Sequence, residues 1–197
     1  MNMNRVVFII GGYLASGKST FARRLSSELK VPYLVKDTFK MALCNSISIT
    51  RWEESSVYST VTFDAMMYVT ERLMEAGVPV ILEGNFVPAG IKKVDEAGSI
   101  RALIEKYEYR PLTYKFTGDT RILHKRYIER DKLPERGQVN AMLGDISYND
   151  FDKLCHNLDH FIVGGEVIEV DTTNFAIVDF NAHIEAARLL LLAQERR

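Results

Sequence analysis

With 197 residues, 47% of them hydrophobic and 26% charged, the chain is long enough to bury a substantial core and reads as a single globular domain over residues 1–197. Its 25 basic and 26 acidic side chains leave a net charge of −1, without the one-signed face that holds nucleic acid or a membrane surface, so neither is expected as a partner. Cys44 and Cys155 lie far apart and outside any C-x-x-C spacing, too few for a disulfide framework and in keeping with a reducing, cytoplasmic setting.

No stretch approaches the about 18 continuous apolar residues of a membrane span, not even residues 186–193. Arg5 and the apolar run after it resemble a leader peptide, but Gly11 and Gly12 interrupt the run and it continues into Lys18. Residues 5–11 read instead as a strand, residues 12–19 (Gly-Tyr-Leu-Ala-Ser-Gly-Lys-Ser) as a glycine-flanked loop, and residues 20–30 as an amphipathic helix.

A second strand is expected over 31–36 with Pro32 at its start, then a helix over 39–44 and an irregular polar stretch over 45–51. Residues 52–76 carry a long helical period in which Val57, Val61, Ala65, Tyr68, Val69, Leu73 and Met74 are spaced for one face, and Gly77 stands where a C-terminal cap belongs. The apolar run 78–84, with Glu83 near its end, has the character of a central parallel strand. Residues 85–98 are broken by Pro88, Gly90 and Gly98, and a helix over 99–107 and a strand over 111–116 follow. Gly118-Asp119-Thr120 makes a turn and cap for a helix over 121–131, which runs into a basic loop over 132–139. A helix over 147–160, a strand over 166–171 and a helix over 178–195 complete the chain.

Five apolar strands separated by helices indicate an α/β fold, a doubly wound five-stranded parallel sheet with helices on both faces. Ligands bind such sheets beyond the carboxyl ends of the strands, which here selects residues 12–19, Asp37, 83–86, 117–119 and 171–174.

The first of these matches G-x-x-x-x-G-K-[ST] in its required strand–loop–helix context. Such a loop turns successive backbone N–H groups inward and adds the positive end of a helix dipole, a cradle for phosphate oxygens built here from Gly12, Ala15, Ser16, Gly17, Lys18, Ser19 and Thr20. Lys18 then reaches the β- and γ-phosphates and the Ser19 hydroxyl holds Mg²⁺. Phosphoryl transfer further needs an aligned nucleophile and compensated charge. Glu83 stands where an acid would support the metal, through a water. Asp37 stands where an acceptor hydroxyl would meet the γ-phosphate and could take its proton. An Asp before a helix is also a good N-cap, and both readings can hold together.

Arg126 and Arg130 share a helical face, and with Arg136 they could close over a triphosphate, the alternative being a solvated basic face paired with Glu129, Asp131 and Glu135. His156 and His160, also four apart, lack an H-E-x-x-H frame and read as structural. Phe39, Trp52, Tyr58 and Phe63 could wall an acceptor pocket with Arg51 as its polar anchor, although much of such a cluster also suits a core.

The loop 12–19, the stretch Lys36-Asp37-Thr38-Phe39-Lys40, the strand 80–85 ending in an acid and the arginine-bearing 127–136 together resemble the small P-loop kinases. That group contains shikimate, gluconate and adenylate kinases, chloramphenicol phosphotransferase and the zeta toxins. The resemblance covers most of residues 5–173 and implies the P-loop NTPase fold with a small lid at about 126–139, an acceptor segment at about 37–77, and ATP with Mg²⁺ as cofactors. It places the adenine between the Arg126 region and the loop around Thr172, and gives Arg130 and Arg136 the transferred phosphoryl.

The loop lacks the G-x-P-G-x-G-K of adenylate kinases, Arg51 is the main base where a nucleoside monophosphate needs several, and Asp37 alone stands where shikimate kinases pair two acids. The expected function is therefore transfer of the γ-phosphate of ATP to a hydroxyl of a small molecule by a monomer or homodimer. Two alternatives stay open: a nucleotide-binding switch or slow NTPase acting through a protein partner, and a toxin-like kinase of a sugar nucleotide.

Overall fold

The computed structural model describes residues 5–47, 52–87, 94–131, 146–160 and 163–193. Strands β1 (Val6–Gly12), β2 (Tyr33–Val35), β3 (Val80–Glu83), β4 (Arg110–Thr117) and β5 (Glu166–Asp171) pair in the order β2-β3-β1-β4-β5, every pairing parallel. Because β1 lies between β3 and β4, the chain winds to one side of it and then to the other, which opens a crevice at the end of β1.

The alternation of β1 divides the core into two layers. Val6, Phe8 and Ile10 pack with Phe21, Leu25, Ile184 and Leu191 from α1 (Lys18–Leu29) and a closing helix numbered α7 (Phe180–Leu192). Val7 and Ile9 face the other way, onto Phe63, Met66, Ile100 and Ile104 from α3 (Trp52–Glu75) and α4 (Glu96–Lys106). Every residue of β1 is buried, which is why its apolar run is continuous. A third cluster, containing Tyr13, Leu123, Tyr127, Phe151, Cys155 and Leu158, joins the loop after β1 to α5 (Thr120–Asp131) and α6 (Tyr148–His156).

Three local expectations are corrected. Helix α2 spans Lys36–Ser46, its N-cap is Val35 and no side chain caps it, so Asp37 sits in the first turn and is not the N-cap. The chain turns into a helix as soon as β2 ends because the short edge strand needs pairing only with β3.

On α3 the expected apolar stripe is covered only toward its C-terminal end, where Met74 is buried and Leu73 packs against the core. Val57, Val61 and Tyr68 are exposed, while Thr62, Phe63, Met66, Thr70 and Met74 are buried. The two threonines tolerate this because Thr62 donates to Tyr58 O (2.8 Å) and Thr70 to Met66 O (2.8 Å), within their own helix. Finally, α4 begins at Glu96 because Asp95 caps it, accepting from Gly98 N at 2.8 Å. Gly77 is the expected cap of α3: at φ +72° it donates to Met74 O (2.9 Å), and Val78 donates to Leu73 O (2.9 Å).

Candidate active site

The parallel register brings the selected strand ends to one edge, with Gly12 opposite Phe116, Ile10 and Val35 opposite Glu83, and Thr117 opposite Asp171. Gly12 is required by contact: at φ +115°, a Cβ there would lie 2.1 Å from Phe116 O. Gly17 also has positive φ, and its Cβ would meet the Phe175 ring at 2.4 Å. Ala15 holds φ +57°, a left-handed conformation costing about 1 kcal/mol or more.

Between the two glycines the loop is tied to itself. Tyr13 N donates to Phe116 O (2.8 Å), and the Tyr13 carbonyl accepts both Ser16 Oγ (2.7 Å) and Lys18 Nζ (2.5 Å). Lys18 Nζ also reaches Gly12 O at 3.0 Å. Burial pushes the Lys18 ammonium below its ordinary range, against the opposing pull of Glu83 and Asp37, and Arg130 pushes the same way as burial. Lys18 therefore lies within electrostatic reach of the acid after β2, the acid at the end of β3 and an arginine of α5.

Ser19 Oγ donates to Glu83 Oε2 at 3.0 Å, and Glu83 is 5% exposed. Two hard oxygen donors this close could together hold a Mg²⁺ ion, the hydroxyl directly and the acid through a water. Among the described residues no group of three or more His, Cys, Asp or Glu is placed to hold a metal ion. Thr20 follows on the exposed face of the first turn of α1.

Arg126 and Arg130 part company despite their shared face. The Arg126 guanidinium donates to Thr172 O (2.6 Å) and Thr173 O (2.8 Å), with Phe175 at 6.0 Å. The Thr172 hydroxyl donates to Thr117 O at 3.0 Å, so this residue anchors the loop after β5 and Arg126 with it. Arg130 lies over the Tyr127 ring at 5.3 Å. Arg136, Arg51 and the loop 132–139 lie outside the described residues, as does the Trp52 side chain. Of the remaining acceptor aromatics, Phe63 is core, 1% exposed and 6.3 Å from the ring of Phe86. Phe39 packs against the same cluster.

Several contacts were not legible in the sequence. Lys36 forms a buried ion pair with Glu96, which also accepts Val87 N at 3.2 Å, tying the start of α2 to the loop after β3. Asn85 Oδ1 is buried with no hydrogen-bond partner among the described residues. Tyr13 and His156 meet edge to face at 5.8 Å. His156 also pairs with Asp159, three residues on, a spacing the sequence shows, whereas nothing in it points to Tyr13.

A parallel sheet with a phosphate-type loop at its central strand and an acid on the neighbouring strand defines a P-loop protein with a kinase-like fold. The profile of an AAA domain family matches residues 7–144, and the chain belongs to that family. No curated protein sequence matches the chain significantly. The fold is similar to that of a candidate kinase from Chloroflexus aurantiacus J-10-fl (TM-score 0.79, 21% identity, covering 96% of this chain and 97% of that one). It is also similar to a shikimate kinase from Bacteroides thetaiotaomicron (TM-score 0.58, 14% identity, covering 95% and 99%). A sugar kinase from Janibacter sp. HTCC2649 is a third such structure (TM-score 0.56, 15% identity, covering 96% and 94%).

Proposed function

We propose that the chain is an ATP-dependent phosphotransferase that moves the γ-phosphoryl group to a hydroxyl of a small molecule. One observation carries this reading: the Ser19–Glu83 hydrogen bond lies beside a buried Lys18 whose ammonium also feels Asp37 and Arg130. A slow NTPase needs the loop and a metal-side acid, but an additional carboxylate at the end of β2 is what an acceptor hydroxyl requires. The kinase-like fold supports the same class.

In this reading Lys18 leaves the carbonyls of Gly12 and Tyr13 to bind the β- and γ-phosphates, and the first backbone N–H groups of α1 complete the cradle. Mg²⁺, when bound, would neutralise charge on the phosphate oxygens, and Ser19 and Glu83 are the residues that would hold it. Asp37 takes the proton of the acceptor hydroxyl as its oxygen bonds to the γ-phosphorus and the bond to the bridging oxygen of ADP breaks. Arg130, with Arg136 by resemblance, compensates the charge that spreads over the transferred group. Arg126 and Thr172 shape the adenine side through the loop after β5. The acceptor would enter along residues 37–77 and the lid would span about 126–139 of a single cytoplasmic domain.

The test is acceptor-dependent ADP formation across sugars, nucleosides and hydroxylated metabolites, by the natural chain and by Lys18→Ala. Turnover that appears only with an acceptor and vanishes in the variant is expected; ADP release at the same rate with and without every acceptor would overturn the transferase reading.

A further inference from the structure

Tyr13, the second residue of the phosphate loop, is gripped from outside that loop. Its hydroxyl donates to Asp159 Oδ1 at 2.5 Å and stands 3.3 Å from His156 Nδ1. His156 Nδ1 in turn lies 2.8 Å from Asp159 Oδ2, so the two oxygens of one carboxylate take one partner each. The same Tyr13 that is fixed through its side chain presents the carbonyl on which Lys18 and Ser16 are docked. The side-chain grip and the carbonyl facing Lys18 thus belong to one residue of the loop.

The surroundings give the grip a charge. Asp152 of α6 stands 3.6 Å from His156 Nε2, and is held by Thr120 of α5 (2.6 Å) and Tyr148 (3.2 Å), with Arg121 acting on it electrostatically. From β4, Lys115 Nζ donates to Asp159 O at 3.0 Å and lies 3.6 Å from Glu169 of β5. Cys155, in the same buried cluster as Tyr13, has its thiol pushed up to about 11 by burial, so it stays neutral. The imidazole therefore sees two carboxylates and no cation at close range among the described residues.

We propose that Asp159 and His156 are positioning residues for the phosphate loop: by holding Tyr13 they pre-order the loop backbone whose N–H groups receive the phosphates, so that protonation of His156 tightens nucleotide binding. The inference rests on the nucleotide reading above but not on the acceptor. The Asp159 hydrogen bond raises the His156 pKa above its ordinary value, with Asp152 adding to it. The imidazolium form is accordingly present at low pH and is lost as pH rises through that raised value. A loop ordered in advance loses less freedom on binding, which gives tighter affinity without a new contact.

Calorimetric titration with Mg²⁺–ADP from about pH 5.5 to about pH 8.5 tests this on the full chain, His156→Gln, Asp159→Asn and Tyr13→Phe. The ratio of each variant to the natural chain cancels the titration of the ADP phosphate. All three variants should bind about three- to tenfold more weakly at the acid end, the partial expression of a hydrogen bond to a charged group. Toward the alkaline end the His156→Gln gap should close while the Tyr13→Phe gap persists, because Asp159 still accepts from the tyrosine. A purely structural role would lower melting temperature without that divergence, and His156, 55% exposed at its side chain, is replaceable without unfolding. Binding that Lys18→Ala weakens, but that the three variants and pH leave parallel to the natural chain, would overturn the proposal alone. Absence of ADP binding by the natural chain would overturn the nucleotide reading and this proposal with it.

Discussion

Ser19 Oγ donates to Glu83 Oε2 at 3.0 Å, joining the first turn of α1 to the end of β3 across 64 residues of sequence. Glu83→Gln keeps the shape and removes the anionic oxygen. We expect turnover about 10²–10³-fold lower, with more Mg²⁺ needed for half-maximal rate, as for loss of one charge-stabilising group. A Mg²⁺ titration of ADP formation reads this directly, and an unshifted titration would remove Glu83 from the metal side.

Asp37 lies in the first turn of α2 without capping it. Asp37→Asn should therefore cost less than about 1 kcal/mol of stability, the value of one acid near a helix N-terminus. Acceptor-dependent turnover should fall about 10²–10⁴-fold if it serves as the base. Urea denaturation alongside single-turnover kinetics separates the two, and a stability loss matching the activity loss would assign Asp37 a structural role.

The buried Lys36–Glu96 pair makes a contrast between half and whole removal. Glu96→Gln leaves a buried ammonium facing a neutral amide and should cost about 3–5 kcal/mol. Lys36→Met with Glu96→Leu removes both charges and should cost less, about 1–3 kcal/mol, chiefly for the Val87 N–H left without its acceptor. Chemical denaturation midpoints of the two proteins check the order, which a surface-like pair would not produce.

Gly12→Ala forces a methyl against Phe116 O in a backbone region that side chains avoid. We expect a loss of about 2–4 kcal/mol, or about 5–15 °C in melting temperature for a domain of this size. Gly77→Ala, with positive φ but nothing within 4 Å, is the control and should lose about 1 kcal/mol.

His183 packs beside Phe21 and Tyr114, and burial lowers its pKa, with Asp179 opposing. The unfolded chain then binds the proton more readily than the folded one, so His183 leaves stability untouched above the ordinary histidine value, about 6.5, and penalises the fold as pH falls below it. His183→Gln should be relatively more stable at pH 5 than at pH 7.5, as denaturant midpoints at the two values will show.

The opposed fates of α3 and β1 show what a sequence can and cannot say. A strand buried on both faces reads as one unbroken apolar run, and β1 and β3 are legible for that reason. A helix such as α3 has apolar residues on more than one side, and which side is covered depends on where the sheet lies. Thr62 and Thr70 are inside because their hydroxyls are satisfied locally, a fact about geometry that residue type does not carry. In the same way Arg126 and Arg130, equal by spacing, are placed differently: Arg126 donates to the carbonyls after β5 and Arg130 lies over the Tyr127 ring.

The order of elements and the phosphate loop at residues 12–19 were legible in the sequence, since local backbone demands and strand patterning are short-range. The partners of those residues were decided by the tertiary structure. The sheet order β2-β3-β1-β4-β5 sets Glu83 against Ser19, and the packing of α6 under the loop sets Asp159 and His156 against Tyr13. Contacts between residues 64 to 146 positions apart depend on chain crossing and burial, and no periodicity in the sequence encodes either.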